Sequence, residues 1–422
     1  MNNYANKIYL GFSGGNFLRA LFIMLFVYSV NYKVLPFEVP SSYYMLMVFI
    51  FCALVLFLQT YRCAIINSDG LIVGFIYLFI SLISYLLNLN KHDEYMIRTS
   101  VMYLIIFIFS GSMITALFKG SYLLTLRIIG YAGLINSMLI ISMLVFKPFQ
   151  SLYLSLISDK AFTLIGGIDS LNGLISLRMI GVTGFSAYST GFVQVLCCLC
   201  YILSIYYRKQ RLSLKFYDYL VIFSILLSAL ISARSSLLGI LIIVFIVLRI
   251  TNSLFVLKLM IYSLSILIPA LAIVVNFIPE EQREFFSTWI SEFFVSGINT
   301  GSIQTNISMF KYDIFDFNTF GFSRWYGDND DYFMGSDVGW YRVTFAVGYI
   351  GAMVWCLLIA SALGLKNIFT TKLSVETFIS WMLLLYVFLM MFKGAILFDS
   401  FQSMLILIVI GCVLKRDPKY AS

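Results

Sequence analysis

Apolar residues fall in runs of about 20 along almost the whole chain, with polar residues gathered between them. A helix of that length crosses the ~30 Å hydrocarbon layer of a bilayer. In lipid every backbone N–H and C=O must find a partner within the chain, so such runs specify helices rather than open strands. The pattern predicts twelve spans, at 17–35, 41–61, 71–88, 99–118, 121–146, 186–207, 216–233, 235–250, 258–278, 343–363, 374–392 and 397–413. The expected fold class is therefore an all-α polytopic membrane protein. The first run opens at about residue 17 with no small-residue cleavage site after it, so it reads as a span and not as a leader.

Most gaps between runs are tight, and two are long: 147–185 and 279–342. They divide the chain into five helices (1–146), a loop (147–185), four helices (186–278), a second loop (279–342), and three helices with a tail (343–422). Lys and Arg set the orientation. With both termini on the cytoplasmic side, that side collects Arg208, Lys209, Arg211 and Lys215 in one turn and Lys415, Arg416 and Lys419 at the end. The short outer loops then hold only Lys33, Lys91, Arg98, Arg234 and Lys393. Both long loops face outward, and the second carries ten of the 20 acidic residues. Long loops are where function tends to sit.

Composition agrees and removes several function classes. Of 422 residues 61% are hydrophobic, 11% are charged and 40 are Phe, far too little polar surface to cover a soluble core. The net charge of +8 follows the cytoplasmic loops and gives no reason to expect nucleic acid. The seven cysteines lie inside spans or at their cytoplasmic ends, Cys197, Cys198 and Cys200 in mid-span without a second ligand pair, so neither disulfides nor zinc are expected. The single histidine, His92, sits in a short outer loop as a solvated side chain. No phosphate-cradling Gly loop, His-Glu-x-x-His or Gly-x-Ser-x-Gly occurs, which argues against ATP-driven, zinc-hydrolytic and serine-hydrolytic chemistry.

What remains is outward-facing charge. Arg178 lies in RMIGVTGFSAYSTG (178–191), Arg234 in the turn SARSS between two short spans, and Arg324 and Arg342 flank an acidic stretch. An arginine at membrane depth costs roughly 2.5–3.5 kcal/mol on insertion scales and tends to have a partner. Each alone could be a snorkelling side chain; four on one face beside small residues suggest a shared anion site. The planar guanidinium suits phosphate, and a diphosphate leaving group needs such a clamp as its charge develops. The stretch GFSRWYGDNDDYFMGSDVGWYRVTF (321–345) interleaves Asp328, Asp330, Asp331 and Asp337 with Trp325, Tyr326, Tyr332, Trp340 and Tyr341. Flat rings beside acceptors suit sugars, and Trp and Tyr also populate membrane interfaces. A calcium loop fails, because Tyr332 and Phe333 stand where a ligand and a glycine are required. Asp328, Asp330 and Asp331 form a solvated or sugar-facing rim. Asp337, five residues before Arg342, is either a general base or an ion-pair partner at a helix start.

These segments, in this order and topology, resemble the Wzy-type O-antigen polymerases and more distantly the O-antigen ligases. RMIGVTGFSAYSTG resembles the family's Arg-x-x-Gly segment, SARSSLLGIL (232–241) its Ser-Arg-Ser segment opening a span, and DVGWYRVTFAVGYIG (337–351) the stretch after its second long loop. In the ligases that stretch resembles His-Asn-x-x-Leu followed by Gly-x-x-Gly. Here Gly348 and Gly351 match the glycines and Asp337 stands in place of the histidine, which favours polymerase over ligase. The resemblance implies a GT-C-like membrane glycosyltransferase of the bacterial inner membrane, acting at its periplasmic face without metal, nucleotide or other cofactor. It would move a growing glycan from undecaprenyl diphosphate to the terminal sugar of a second lipid-linked repeat unit. Membrane lipids are its surroundings, and a chain-length regulator protein is a candidate partner. On that basis Asp337, Arg342 and Arg234 are the catalytic candidates. Arg178, Arg234, Arg324 and Arg342 would bind diphosphate, and Trp325, Tyr326, Trp340 and Tyr341 sugar. The competing readings are a ligase or related transferase and, from another class, a polysaccharide flippase or transporter.

Overall fold

The computed structural model describes residues 14–36, 39–60, 67–89, 92–158, 178–251, 308–327, 332–364, 368–369 and 374–415. The expected span at 258–278, most of the second long loop and Asp328, Asp330 and Asp331 lie outside the described residues. Those described are helical, joined by turns and loops, with no strand among them. The helices are α1 (Gly14–Val27), α2 (Ser41–Thr60), α3 (Ser68–Leu87), α4 (Tyr95–Phe118), α5 (Tyr122–Val145), α6 (Lys147–Ser155) and α7 (Tyr188–Lys209). They continue with α8 (Phe216–Ser232), α9 (Ser236–Ile250), α10 (Gly339–Leu363), α11 (Val375–Met391), α12 (Ile396–Asp399) and α13 (Ser403–Lys415). Six of them, α2, α3, α4, α5, α7 and α10, are long and apolar enough to cross a membrane. Five shorter apolar helices coincide with other expected spans.

The helices are built for lipid rather than water. On α3 the buried positions are Gly70, Gly74, Tyr77, Ile80, Ser81 and Ser84, a helical stripe of mostly small and polar residues. Ile72, Phe75, Phe79 and Leu86 point outward and are more than half exposed. A soluble helix reverses this arrangement. Small inward residues let backbones approach, and buried hydroxyls and amides hold helices together where no hydrophobic force does. Such a network ties α1, α5, α7 and α8: Tyr28 Oη donates to Gln194 Oε1, whose amide donates to Ser228 Oγ at 2.8 Å and Ser137 Oγ at 3.2 Å. At the centre stands α13, buried at every position from Ser403 to Leu414 and packed by α4, α5, α7, α10 and α11.

Two elements depart from the expected spans in ways that shape the site. The last apolar run does not begin as one helix at 397. It breaks into the short α12, a turn, and α13 starting at Ser403, which sets Asp399 at the C-terminal end of α12. The second departure is in α10, which is interrupted at Gly348, where φ is 71° and ψ −175°. That conformation belongs to glycine. The break withdraws the carbonyls of Phe345 and Ala346 from the helix ladder. The loop before α10 takes them up: Phe322 N donates to Phe345 O at 2.6 Å and Ser323 N to Ala346 O at 3.0 Å. Ser84 Oγ also donates to Ala346 O, at 2.8 Å. The end of the second long loop is thereby stitched into the helix wall.

Candidate functional site

Three loops are each held in place before any charge is considered. The Arg178 loop closes on itself through Ser186 N to Arg178 O at 2.7 Å, and Asn136 of α5 accepts from Val182 N at 3.0 Å. The Arg234 turn joins α8 to α9 and is held by Ser236 Oγ donating to Ala229 O at 2.9 Å. At 1.5 Å per residue the flanking helices are only about 26 Å and 22 Å long, shorter than the ~30 Å hydrocarbon layer. The third loop is anchored by Asp93, between α3 and α4. Its carboxylate accepts from the backbone N–H of both Trp325 and Tyr326, and its own N–H donates to Ser323 O at 2.9 Å. Removing a partly buried acceptor from two backbone donors costs about 1–3 kcal/mol. Asp93→Ala is therefore expected to loosen this segment and speed tryptic cleavage after Arg324 at least severalfold, read by limited proteolysis.

Arg342, on the first turn of α10, is the centre of the arrangement. It is 2% exposed, and its guanidinium lies between the rings of Trp325 and Tyr332, 4.0 and 3.8 Å from their centroids. The nearest carboxylate is that of Asp399, with 3.8 Å between Nη1 and Oδ1. Nε, Nη1 and Nη2 have no hydrogen-bond partner among the described residues. A second buried arginine supplies the contrast. Arg127, about 14 Å along α5 from Asn136, has Asp218 at 3.3 Å from Nη2 and donates from Nε to the Tyr131 hydroxyl at 3.2 Å. Tyr201 completes that cluster by donating to Asp218 at 2.7 Å. The protein thus satisfies one buried guanidinium and leaves the other open. Burying a charge costs several kcal/mol, and ring stacking returns about 2. The shortfall is what an oxyanion would meet, through donors already in place.

Other charges converge on the same end. Lys393 precedes Gly394, where a side chain would collide with the Tyr188 ring. A Cβ on Gly339 would lie 2.5 Å from Gly394 O. This close backbone approach draws Asp337, Arg342, Lys393 and Asp399 together. Burial pushes the Asp337 carboxyl up, and the charges of Arg342 and Lys393 pull it back. Lys393 is pushed down by burial and by Arg178, drawn up by Asp337, and lowered again by Arg234. Arg178 is lowered by burial and then by Arg234. Cations that repel one another within one site are held there by the fold, and an anion relieves them.

Of the residues put forward from sequence, Asp337 lies within electrostatic reach of Arg342 and Arg178 of Arg234, and Lys393 links the two pairs. Arg324 lies over the Phe333 ring at 4.9 Å and braces the loop. The aromatic candidates divide. Trp325 is wholly buried, stacked on Tyr95 at 4.6 Å and covered by Arg342 and Phe398. Trp340 Nε1 donates to Phe388 O at 3.2 Å, and Tyr341 Oη to Tyr312 O at 3.0 Å, so both clamp structure around the site. Tyr326 and Tyr332, paired across an antiparallel bridge, are half-buried and border Arg342 and Asp399. Three contributors were not expected: Asp399, Tyr188 and Asp93. A signal existed for Asp399, since GAILFDSFQSM places one carboxylate in an apolar run, and an ionisable residue there is a functional candidate by default. None marked Tyr188 or Asp93. Among the described residues no group of His, Cys, Asp and Glu could hold a metal ion.

No protein-family model matches this sequence, no curated protein matches it, and no solved structure matches its fold. The functional reading therefore rests on the sequence motifs and on this geometry.

Proposed function

We propose that this chain is a GT-C-like glycosyltransferase of the bacterial inner membrane that polymerises lipid-linked repeat units at the periplasmic face, as the O-antigen polymerases it resembles do. The observation that carries the reading is Arg342, a buried guanidinium whose three nitrogens lack hydrogen-bond partners among the described residues, while Lys393 shares Asp337 with it and itself feels the charges of Arg178 and Arg234. That pattern suits the diphosphate of an undecaprenyl-linked donor, a leaving group that accumulates negative charge as the glycosidic bond breaks. Arg178 and Arg234 bind it, and Arg342 and Arg234 stabilise the charge that develops. Asp337 serves as base or orients the arginines. Tyr326 and Tyr332 offer faces to sugar rings, and the apolar helices give the polyprenyl tails their surroundings.

Deleting the gene and restoring single variants tests this on a gel of surface glycan. Loss of a polymerase leaves one repeat unit on the lipid core. Loss of a ligase leaves the core bare while lipid-linked polymer accumulates outside, and loss of a flippase traps single repeats inside. Arg178→Ala and Arg234→Ala should each shorten the ladder to its lowest rungs. A charge-assisted hydrogen bond contributes about 1.5–3 kcal/mol, roughly 10- to 100-fold in rate. A normal ladder from the deletion strain refutes the function.

A further inference from the structure

Asp399 has the setting of a working carboxylate. Its side chain keeps 28% of its surface, so solvent and a substrate hydroxyl can reach it. The element that carries it is locked. Tyr103 Oη donates to Leu397 O at 2.9 Å and Tyr95 Oη to Phe398 O at 3.0 Å, while the Phe398 ring packs between Trp325 and Trp355. The two oxygens are not equivalent. Oδ2 accepts a hydrogen bond from Tyr188 Oη at 2.7 Å. Oδ1 has Arg342 Nη1 at 3.8 Å, near enough for attraction but beyond a hydrogen bond. One oxygen is tied and oriented, and the other faces the place where an anion on Arg342 would sit.

We infer that Asp399 is the base that takes the proton from the acceptor sugar's hydroxyl, with Tyr188 as the positioning residue that fixes its carboxylate; this rests on the transferase reading above. The acceptor O–H bond breaks and its proton passes to Asp399 Oδ1. The oxygen forms a bond to the donor's anomeric carbon, whose bond to the diphosphate oxygen breaks. That electron pair leaves on the diphosphate, against Arg342, and Asp399 later returns its proton to water. Asp337 then has the other part, holding Lys393 and Arg342 in place as their counter-charge.

The groups facing Asp399 set the direction of each test. Burial raises its carboxyl pKa, Arg342 and the Tyr188 hydrogen bond lower it, and Asp337 raises it. Tyr95, Tyr103, Tyr326 and Tyr332 are the other titratable groups around it, each a neutral phenol near neutral pH. A base works deprotonated, so activity falls as pH drops through its pKa. Losing the Tyr188 hydrogen bond must move that limb to higher pH, and losing the Asp337 charge must move it lower.

The experiment uses purified protein in lipid vesicles, with lipid-linked single repeats extracted from the deletion strain as both donor and acceptor. Rates of dimer formation are measured across pH. Asp399→Asn, which keeps an acceptor for Tyr188, is expected to lose at least about 100-fold in kcat with an unchanged melting temperature. Tyr188→Phe should shift the acid limb upward and recover rate as pH rises, which a merely structural defect would not do. Asp337→Asn should lower the rate yet keep an acid limb, moved downward. An acid limb abolished by Asp337→Asn, or unmoved by Tyr188→Phe, overturns the assignment while leaving the transferase intact. A wild-type protein that joins no repeats at any pH removes the function and this inference with it.

Discussion

Gly348→Ala is expected to yield almost no folded protein. Two obstacles and the consequence of the second meet at this position. The backbone has φ 71° and ψ −175°, a region that L side chains avoid at about 1–3 kcal/mol. A Cβ there would lie 2.1 Å from Thr319 O and 2.3 Å from Thr319 C, backbone atoms that cannot swing aside. Relieving the clash means withdrawing the loop, which breaks the bonds from Phe322 N and Ser323 N to Phe345 O and Ala346 O. Gly321 on the facing strand of chain has no more room, since its own Cβ would stand 2.5 Å from Gly348 N. The sum exceeds about 3 kcal/mol, a large share of the stability of an ordinary domain. Size-exclusion chromatography in detergent should show the monodisperse peak collapse. Gly120→Ala is the control: φ there is also positive, 68°, but no atom lies within 4 Å of a Cβ. It should cost only about 1–2 kcal/mol and leave the peak in place. Equal behaviour of the two variants would show that the loop does not dock into the helix break.

The second large effect separates activity from stability. Arg342→Met is expected to lose at least 100-fold in polymer formation, the scale of removing one donor from a preorganised charge-stabilising site. The same variant should melt close to wild type, because it removes a buried charge without hydrogen-bond partners among the described residues and leaves an apolar side chain between the same two rings. Asp399 tolerates the loss, since Tyr188 still donates to it and solvent still reaches it. Arg342→Lys should be almost as inactive: an ammonium cannot stack between Trp325 and Tyr332 or present a planar fork. Inorganic pyrophosphate is the probe for the site itself. It should raise the melting temperature of the wild type and not that of Arg342→Met. A methionine variant that is both inactive and strongly destabilised would make Arg342 a structural residue.

The membrane character was legible in the sequence because it depends on local quantities. Run length, residue type and the helix period are written along the chain, and lipid leaves the backbone no alternative to pairing within it. The arginines at 178, 234 and 342 were legible as well, since each is a charge at the end of an apolar run. Hydropathy could not separate the lipid-facing from the packed side of α3, where the largest apolar residues point outward. It also ran through the break before Ser403, because the residues of α12 are as apolar as those of α13. Trp325 and Trp340 looked from sequence like Tyr326. Which rings stay open and which are buried was set by α4, α11 and the loop that Asp93 anchors.

What the sequence determined by itself is the class of molecule: helices of membrane length, charge gathered between them, and a short list of arginines at the ends of apolar runs. These follow from side-chain chemistry summed along a segment. The tertiary structure decided which charges meet. Asp399 and Arg342 are 57 residues apart and Tyr188 is 211 residues from Asp399, and no period or propensity carries information over such distances. They come together because Gly348 breaks one helix, Gly339 and Gly394 let two backbones touch, and Asp93 fixes a loop across the gap. Whether a buried guanidinium is satisfied, as Arg127 is, or left open, as Arg342 is, depends on those contacts and not on the residue.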